Sequence, residues 1–232
     1  MRSNSTIHSD VLTPFVAATE KFASHNAFCI NGVFYSYRRL AETISAIRAE
    51  VKKMPVADNN VGLVANDDIE TYAAIFALWL EGKSYVPVNP DTPAERNRNV
   101  LQQAGSTVVI DSSDQPLYTG FNIIRSKTLN AVSIDLEPLP FDDEERAYIF
   151  FTSGTTGVPK GVPITRANLA GFINAFFDLG ISMDESDKCL QMFELTFDLS
   201  VMSYLAPLLK GACVYTIPKN KIKFNYIADL LE

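Results

Sequence analysis

The stretch AYIFFTSGTTGVPKG, residues 147–161, sets a run of small and hydroxyl side chains directly after residues of strand character. Tyr148 to Phe151 are aromatic and apolar, so the strand they form anchors the start of the following loop in a core. Gly154 and Gly157 have no Cβ, which lets backbone N–H groups approach a ligand closely. Thr152, Ser153, Thr155 and Thr156 add hydroxyl donors, and Lys160 adds a mobile positive charge. Consecutive amides with a nearby cation suit the oxygens of a polyphosphate. Two other phosphate motifs do not fit. Gly-x4-Gly-Lys-Ser/Thr requires a glycine where Pro159 stands, and Lys160 is followed by Gly161. Gly-x-Gly-x-x-Gly lacks its first pair, because only Gly154-Thr-Thr-Gly157 is present. On composition alone, a plain Gly/Thr turn between strands remains the alternative.

A second candidate is Asp198, in FELTFDLSVMSYLAPLLKGACVYTIP at 193–218. It stands where a helical pattern begins, and an aspartate there caps free backbone amides. A carboxylate turned toward an apolar pocket instead needs a partner for its charge.

These residues need a scaffold, and the apolar spacing supplies one. Helical stripes occur at Tyr37–Val51, Ile69–Leu80, Leu169–Phe176 and Leu199–Leu209. The second carries Ile75, Leu78 and Trp79 off its stripe and is expected to be buried on most sides. Pro207 kinks or restarts the last helix, and Gly211 ends it. Short β-rich runs lie at 61–66, 84–89, 107–111, 147–152 and 212–217, and FCINGVFYSY reads as a hairpin turning at Asn31-Gly32. Strands alternating with helices predict an α/β fold with two helix-covered, mostly parallel sheets. The prolines and charges of 135–146 predict a surface connector between an N-terminal subdomain, 1–134, and a second one, 147–232.

Composition narrows the function classes. The 232 residues are 47% hydrophobic, enough for one large domain or two closely joined subdomains. Net charge is −7 with no basic stripe, which argues against nucleic acid as a partner. Cys29, Cys189 and Cys213 are odd in number and contain no Cys-x-x-Cys, so reduced, mostly buried thiols are expected. There is no signal-peptide core and no apolar run of membrane-spanning length, so a cytoplasmic protein follows by default.

YIFFTSGTTGVPKGV resembles the phosphate-loop signature of the adenylate-forming (AMP-binding) superfamily, which includes acyl- and aryl-CoA synthetases, luciferases and amino-acid adenylation domains. LWLEGKSYVPVNPDTPAERNRNVLQQAG, 78–105, and GVFYSYRRLAETISAI resemble two earlier blocks of that family, with departures at Ser84 and Asn89. Arg166 departs from the histidine that often follows Thr165. Little consequence is expected, because Thr165 can still cap the next helix.

The resemblance implies ATP, with Mg²⁺, held through its distal phosphates by Thr152, Ser153, Gly154, Thr155, Thr156, Gly157 and Lys160. Phe-Asp-x-Ser at 197–200 is similar to amino-acid adenylation domains of peptide synthetases and to D-alanine–carrier protein ligases. In those, Asp198 would pair with the substrate ammonium, while Leu199 and Met202 fall at pocket-lining positions. The implied reaction forms an aminoacyl-adenylate and passes the acyl group to a phosphopantetheine thiol on a carrier protein. The family's adenine-binding block, ribose-binding aspartate and catalytic lysine are expected beyond residue 232, so the chain is expected to be an N-terminal piece without turnover of its own. Two alternatives stay open: a piece of an acyl- or aryl-CoA synthetase in which Asp198 is only a cap, and a non-catalytic phosphate-binding scaffold.

Overall fold

Runs rich in Val, Ile and Tyr form the strands, and the helical stripes fall between them. A computed structural model describes residues 10–55, 57–115, 118–153, 159–219, 221 and 223–231. The elements are α1 (Leu12–Lys21), β1 (Asn26–Ile30), β2 (Val33–Ser36), α2 (Tyr37–Val51), β3 (Asn60–Val64), α3 (Ile69–Leu80), β4 (Ser84–Val88), α4 (Ala94–Gln103), β5 (Val108–Asp111) and β6 (Asn122–Arg125). They continue with β7 (Arg146–Ser153), β8 (Pro159–Thr165), α5 (Arg166–Asp178), β9 (Lys188–Gln191), α6 (Leu199–Leu208), β10 (Cys213–Thr216) and α7 (Lys223–Leu231). Among the described residues no helix is long and apolar enough to cross a membrane.

Two largely parallel sheets result. The larger has the order β6-β5-β3-β4-β7-β8, parallel throughout except for the β7–β8 hairpin. All of β4 and nearly all of β3 are buried, as a parallel sheet covered on both faces requires. The smaller has the order β2-β1-β10-β9, with only β1–β2 antiparallel. Asn31 and Gly32 close that hairpin at φ 53° and 78°, the two successive positive angles that a tight primed turn needs. The three cysteines lie on β1, β9 and β10, and all are free. Burial pushes Cys189 up to about 11 and Cys213 up to about 12, so these thiols stay protonated and inert at neutral pH.

The sheets do not divide at 135–146. A central parallel strand needs a partner on each edge. β4 takes β7 from beyond the connector, and β1 takes β10. The connector itself is largely exposed, as its charges predict, but Arg48 pins its start. Arg48 is 2% exposed and donates to Glu81 Oε1 at 2.7 Å, to Asp135 Oδ1 at 2.9 Å and to the Glu137 carbonyl at 2.6 Å.

Helix α3 is the centre of the core, with every residue except Glu70 buried. Phe76 stacks on Phe15 with ring centroids 3.8 Å apart, and Tyr72 meets Phe28 and Tyr204. The Trp79 indole donates to the Ala147 carbonyl at 2.8 Å, tying the helix to the start of β7. Asp68 caps its N-terminus by accepting from Thr71 N, and Asp67 just before it has φ 59°. Asp67 Oδ1 accepts a 2.5 Å hydrogen bond from the Tyr72 hydroxyl. Burial raises its carboxyl from 3.8 to about 6, with Asp68 adding to the shift and Tyr72 and Lys219 opposing it.

Two elements go beyond the sequence pattern. In α4 only Asn97, Val100 and Leu101 are buried, too narrow a stripe to stand out in a polar sequence. β8 contains Pro159, Gly161 and Pro163, residues that argue against a strand. It is the edge of the larger sheet, and an edge tolerates missing N–H donors. Pro207 lies in the last turn of α6, and Gly211 follows at φ 82°, where a Cβ would come within 2.3 Å of the Phe22 ring.

Thr165 does cap α5, in a reciprocal capping box with Asn168. Arg166, however, has a structural role of its own. It is 6% exposed, lies over the Phe141 ring at 4.6 Å and donates to the Trp79 carbonyl at 2.8 Å. Burial lowers its pKa to about 10, which leaves it charged at neutral pH. Arg166→Met should therefore destabilise the fold by about 1–3 kcal/mol, because it removes a buried charge-assisted hydrogen bond to the Trp79 carbonyl and the guanidinium–ring contact with Phe141. Urea unfolding measures this, and a midpoint equal to that of the unchanged chain would rule the contact out as a stabilising one.

Asp67 makes a pH-dependent prediction. Its folded pKa lies above the unfolded one, so the native state binds more protons between about pH 4 and 6, and stability falls as pH rises through that window. Asp67→Asn keeps the acceptor for Tyr72 and removes the charge. It should gain about 1 kcal/mol near pH 8, after discounting for the partial exposure of Asp67, and nothing near pH 4. Unfolding midpoints at the two pH values check it; an equal effect at both would remove the charge as the cause.

Candidate functional site

The β7–β8 hairpin carries the loop singled out by its hydroxyls and glycines. β7 is an inner strand held by β4, so its aromatic residues fix the hairpin in the core. Thr152 pairs with Lys160 and Ser153 with Pro159, which puts the loop's two stems side by side. Gly154, Thr155, Thr156 and Gly157 lie outside the described residues. The Thr152 and Lys160 side chains are both exposed at the hairpin's open end.

A cleft of about 460 Å³ lies beside this hairpin. Phe150, Phe151, Thr152, Pro159, Val162 and Ile164 of the hairpin form one wall. The end of β4 and one face of α4 form another, and Glu194, Thr196, Phe197 and Asp198 close it. The cleft therefore sits where the carboxyl ends of β4 and β7 open, the usual place for a ligand in an open α/β sheet.

Asp198 is brought to the same cleft as Thr152, which separation in sequence alone did not require. Its backbone begins α6, and Oδ1 accepts from Leu199 N at 2.9 Å, so the capping role is present. The carboxylate is exposed, unlike the buried group that the apolar-pocket reading requires. Its second oxygen has no protein partner among the described residues and is open to the cleft. Beneath it, burial raises the Tyr148 hydroxyl to about 12, and the negative charge of Asp198 adds to that shift. Leu199 is 51% exposed and Met202 half-buried; neither lines the cleft among the described residues.

The helix that the sequence pattern hides also contributes groups that the sequence does not single out. α4 presents Arg96 and Asn97 to the cleft. Arg96 makes no ion pair among the described residues and gives the cleft a guanidinium across from the hairpin. The signal is faint, since it rests on a three-residue buried stripe. Asn97 is 4% exposed and donates to the Asn89 carbonyl and the Tyr118 hydroxyl, both at 2.7 Å, which holds the helix against the end of β4. Among the described residues no group of three or more His, Cys, Asp or Glu could hold a metal ion.

Comparison with known proteins identifies the family. Residues 15–232 match the family model described as AMP-binding enzyme. The chain is 30% identical over 211 residues to the D-alanine–D-alanyl carrier protein ligase of Streptococcus equi subsp. equi (strain 4047), covering 84% of the chain and 40% of the ligase. It is 27% identical over 224 residues to tyrocidine synthase 2 of Brevibacillus parabrevis, covering 94% of the chain and 6% of that protein. Among solved structures, the Klebsiella oxytoca NpsA N-terminal subdomain in complex with 3-hydroxyanthranilyl-AMSN superposes with a TM-score of 0.81 at 26% identity, over 97% of this chain and 57% of that one. The AMPPNP-bound nonribosomal peptide synthetase FmoA3 shares the fold, with a TM-score of 0.82 over 99% of this chain and 25% of that one. The chain thus spans less than two thirds of the length of each of these relatives. It belongs to the AMP-binding enzyme family of adenylate-forming proteins.

Proposed function

We propose that this chain supplies the phosphate loop and part of the substrate cleft of an ATP-dependent ligase that activates an amino acid and passes it to a carrier protein. The observation that carries this reading is the meeting of Asp198 with the Thr152–Lys160 hairpin end in one cleft. ATP supplies an α-phosphate for attack by the amino-acid carboxylate and a pyrophosphate leaving group. Thr152, Ser153 and Lys160, with the loop 154–157 between them, would hold the distal phosphates, and Arg96 is a second cation within the cleft. Such contacts act by positioning and by neutralising charge that grows as pyrophosphate departs. The free oxygen of Asp198 would take the substrate ammonium. Among the described residues no cluster of three or more carboxylates could hold a metal ion, so Mg²⁺ would be held mainly by phosphate oxygens. The aminoacyl-adenylate would then give its acyl group to a phosphopantetheine thiol. Support for a carrier partner comes from the relatives, which include the D-alanine–D-alanyl carrier protein ligase.

A second reading is favoured by the cap hydrogen bond itself: Asp198 only begins α6, and the acid activated has no ammonium. Asp198→Asn separates the two, because asparagine caps about as well but carries no charge. In the enzyme containing this chain, amino-acid-dependent pyrophosphate exchange should fall at least about tenfold while thermal stability stays nearly constant. Unchanged exchange would leave the cap as its whole role.

Lys160→Ala should lower kcat/KM for the adenylation step by about 10- to 100-fold, equivalent to ~1–3 kcal/mol of lost charge stabilisation. Its exposure makes a folding defect unexpected. Exchange kinetics indistinguishable from the parent enzyme would remove Lys160 from the phosphate site.

A further inference from the structure

A second cavity, of about 210 Å³, lies between the two sheets, where residues just past β3 and β4 meet the end of β9 and the segment after β10. We infer that this cavity binds a small primary ammonium compound with an oxygen acceptor close to the amine, the chemistry shared by free amino acids and amino alcohols. Its volume is about seven times that of a water molecule in the liquid, enough for a ligand of a few heavy atoms.

The donor side of the site is Gln191. It is 2% exposed and lines the cavity. Its Oε1 accepts from Phe193 N at 3.1 Å, which fixes the orientation of the amide. Nε2 is then left buried without a hydrogen-bond partner. A buried donor without an acceptor is costly, and a ligand oxygen removes that cost.

The acceptor side is Asp67. The left-handed backbone at φ 59° sets its side chain into the cavity wall, and Tyr72 occupies Oδ1. Oδ2 has no partner among the described residues. The Tyr72 hydroxyl that donates to Asp67 also interacts with the Gln191 side chain, though no hydrogen bond to Nε2 closes, so the acceptor and the donor flank one hydroxyl group. A small molecule with an ammonium and an oxygen two or three bonds apart carries the complementary pair of groups.

Charge selects the cation. Asp67, Asp91 and Glu194 line the cavity against Lys219 alone. Lys219 is committed to Asp91 at 3.0 Å. Glu194 Oε2 accepts from Asn89 Nδ2 at 3.0 Å, and Asn89 and Glu194 also line the larger cleft, so this hydrogen bond is the wall between the two cavities. Asp67 and Glu194 make no ion pair among the described residues, and burial raises the Asp67 pKa with Lys219 only partly opposing the shift.

The site is independent of the role of Asp198, and its test keeps the two apart. The isotope-labelled 232-residue chain is titrated with glycine, ethanolamine and acetate while backbone amide shifts are followed. Glycine and ethanolamine should each give saturable shifts at Asp67, Gln191 and Phe193 in the millimolar range, and acetate none. A preference for glycine assigns the site to amino acids, and one for ethanolamine assigns it to amino alcohols. Asp67→Asn, which keeps the Tyr72 hydrogen bond, should weaken both ligands at least about tenfold. Gln191→Glu keeps the acceptor for Phe193 N and should weaken glycine while retaining ethanolamine, whose hydroxyl can donate instead. Asp198→Asn should change none of these shifts. The inference is overturned if neither amine gives saturable shifts at the three residues, if acetate binds as well as glycine, or if Asp67→Asn binds unchanged.

Discussion

The carboxyl end of helix α3 is the constraint on which the rest of the structure depends. A helix leaves its last carbonyls without intrahelical partners, and a buried end has no water to satisfy them. Here the chain returns from three distant points to this end of the helix, two of which bring donors to its carbonyls. The Leu80 carbonyl accepts from Leu139 N, and the Trp79 carbonyl accepts from Arg166. The Trp79 indole in turn fixes Ala147. Each contact draws a later segment over the same spot, and with Ala147 the whole of β7 is placed beside β4.

That placement makes the cleft. β7 runs out from its anchor at Ala147 to the hairpin end at Thr152, and β8 returns along the sheet edge to Arg166, whose guanidinium closes the circuit on Trp79. The hairpin is therefore clamped at its base, with Thr152 and Lys160 exposed at the other end. Rigid stems of this kind fix where the loop between them begins and ends. The α6 side of the cleft is fixed differently, through aromatic packing. Tyr204 meets Tyr72 and Phe76 of α3, and its hydroxyl lies 3.3 Å from that of Tyr85 on β4, so the helix that Asp198 caps shares the core helix with the hairpin.

The core also carries polar groups at some cost. Arg48 and Arg166 are desolvated cations, each offset by carbonyls and a carboxylate. Asp67 is offset by one hydrogen bond, from a tyrosine hydroxyl, and by the charge of Lys219, which is itself paired with Asp91. The two arginines tie segments together through both backbone carbonyls and carboxylates. Asp67 ties nothing beyond its own turn to α3. A group that costs stability without joining segments is the kind that function retains.

The sequence by itself determined the elements whose signal is local. The stripe at Tyr37–Val51 and the all-round apolar helix Ile69–Leu80 form over those same residues, because period and bulk are written into consecutive positions. The Asn-Gly hairpin and the capping of Thr165 were equally legible, since each depends on a few neighbouring side chains. Tertiary structure decided what no short window contains. Strand partners across the connector follow from which edges of β4 and β1 remain open, so a division at 135–146 did not match the sheets. β8 is a strand because of its neighbour, in spite of its two prolines. Asp198 faces the hairpin because both elements pack on α3, and Gln191 meets Asp67 because two sheets end at one place. Hydrophobic patterning specifies which face of an element is buried, while only the assembled core specifies against what.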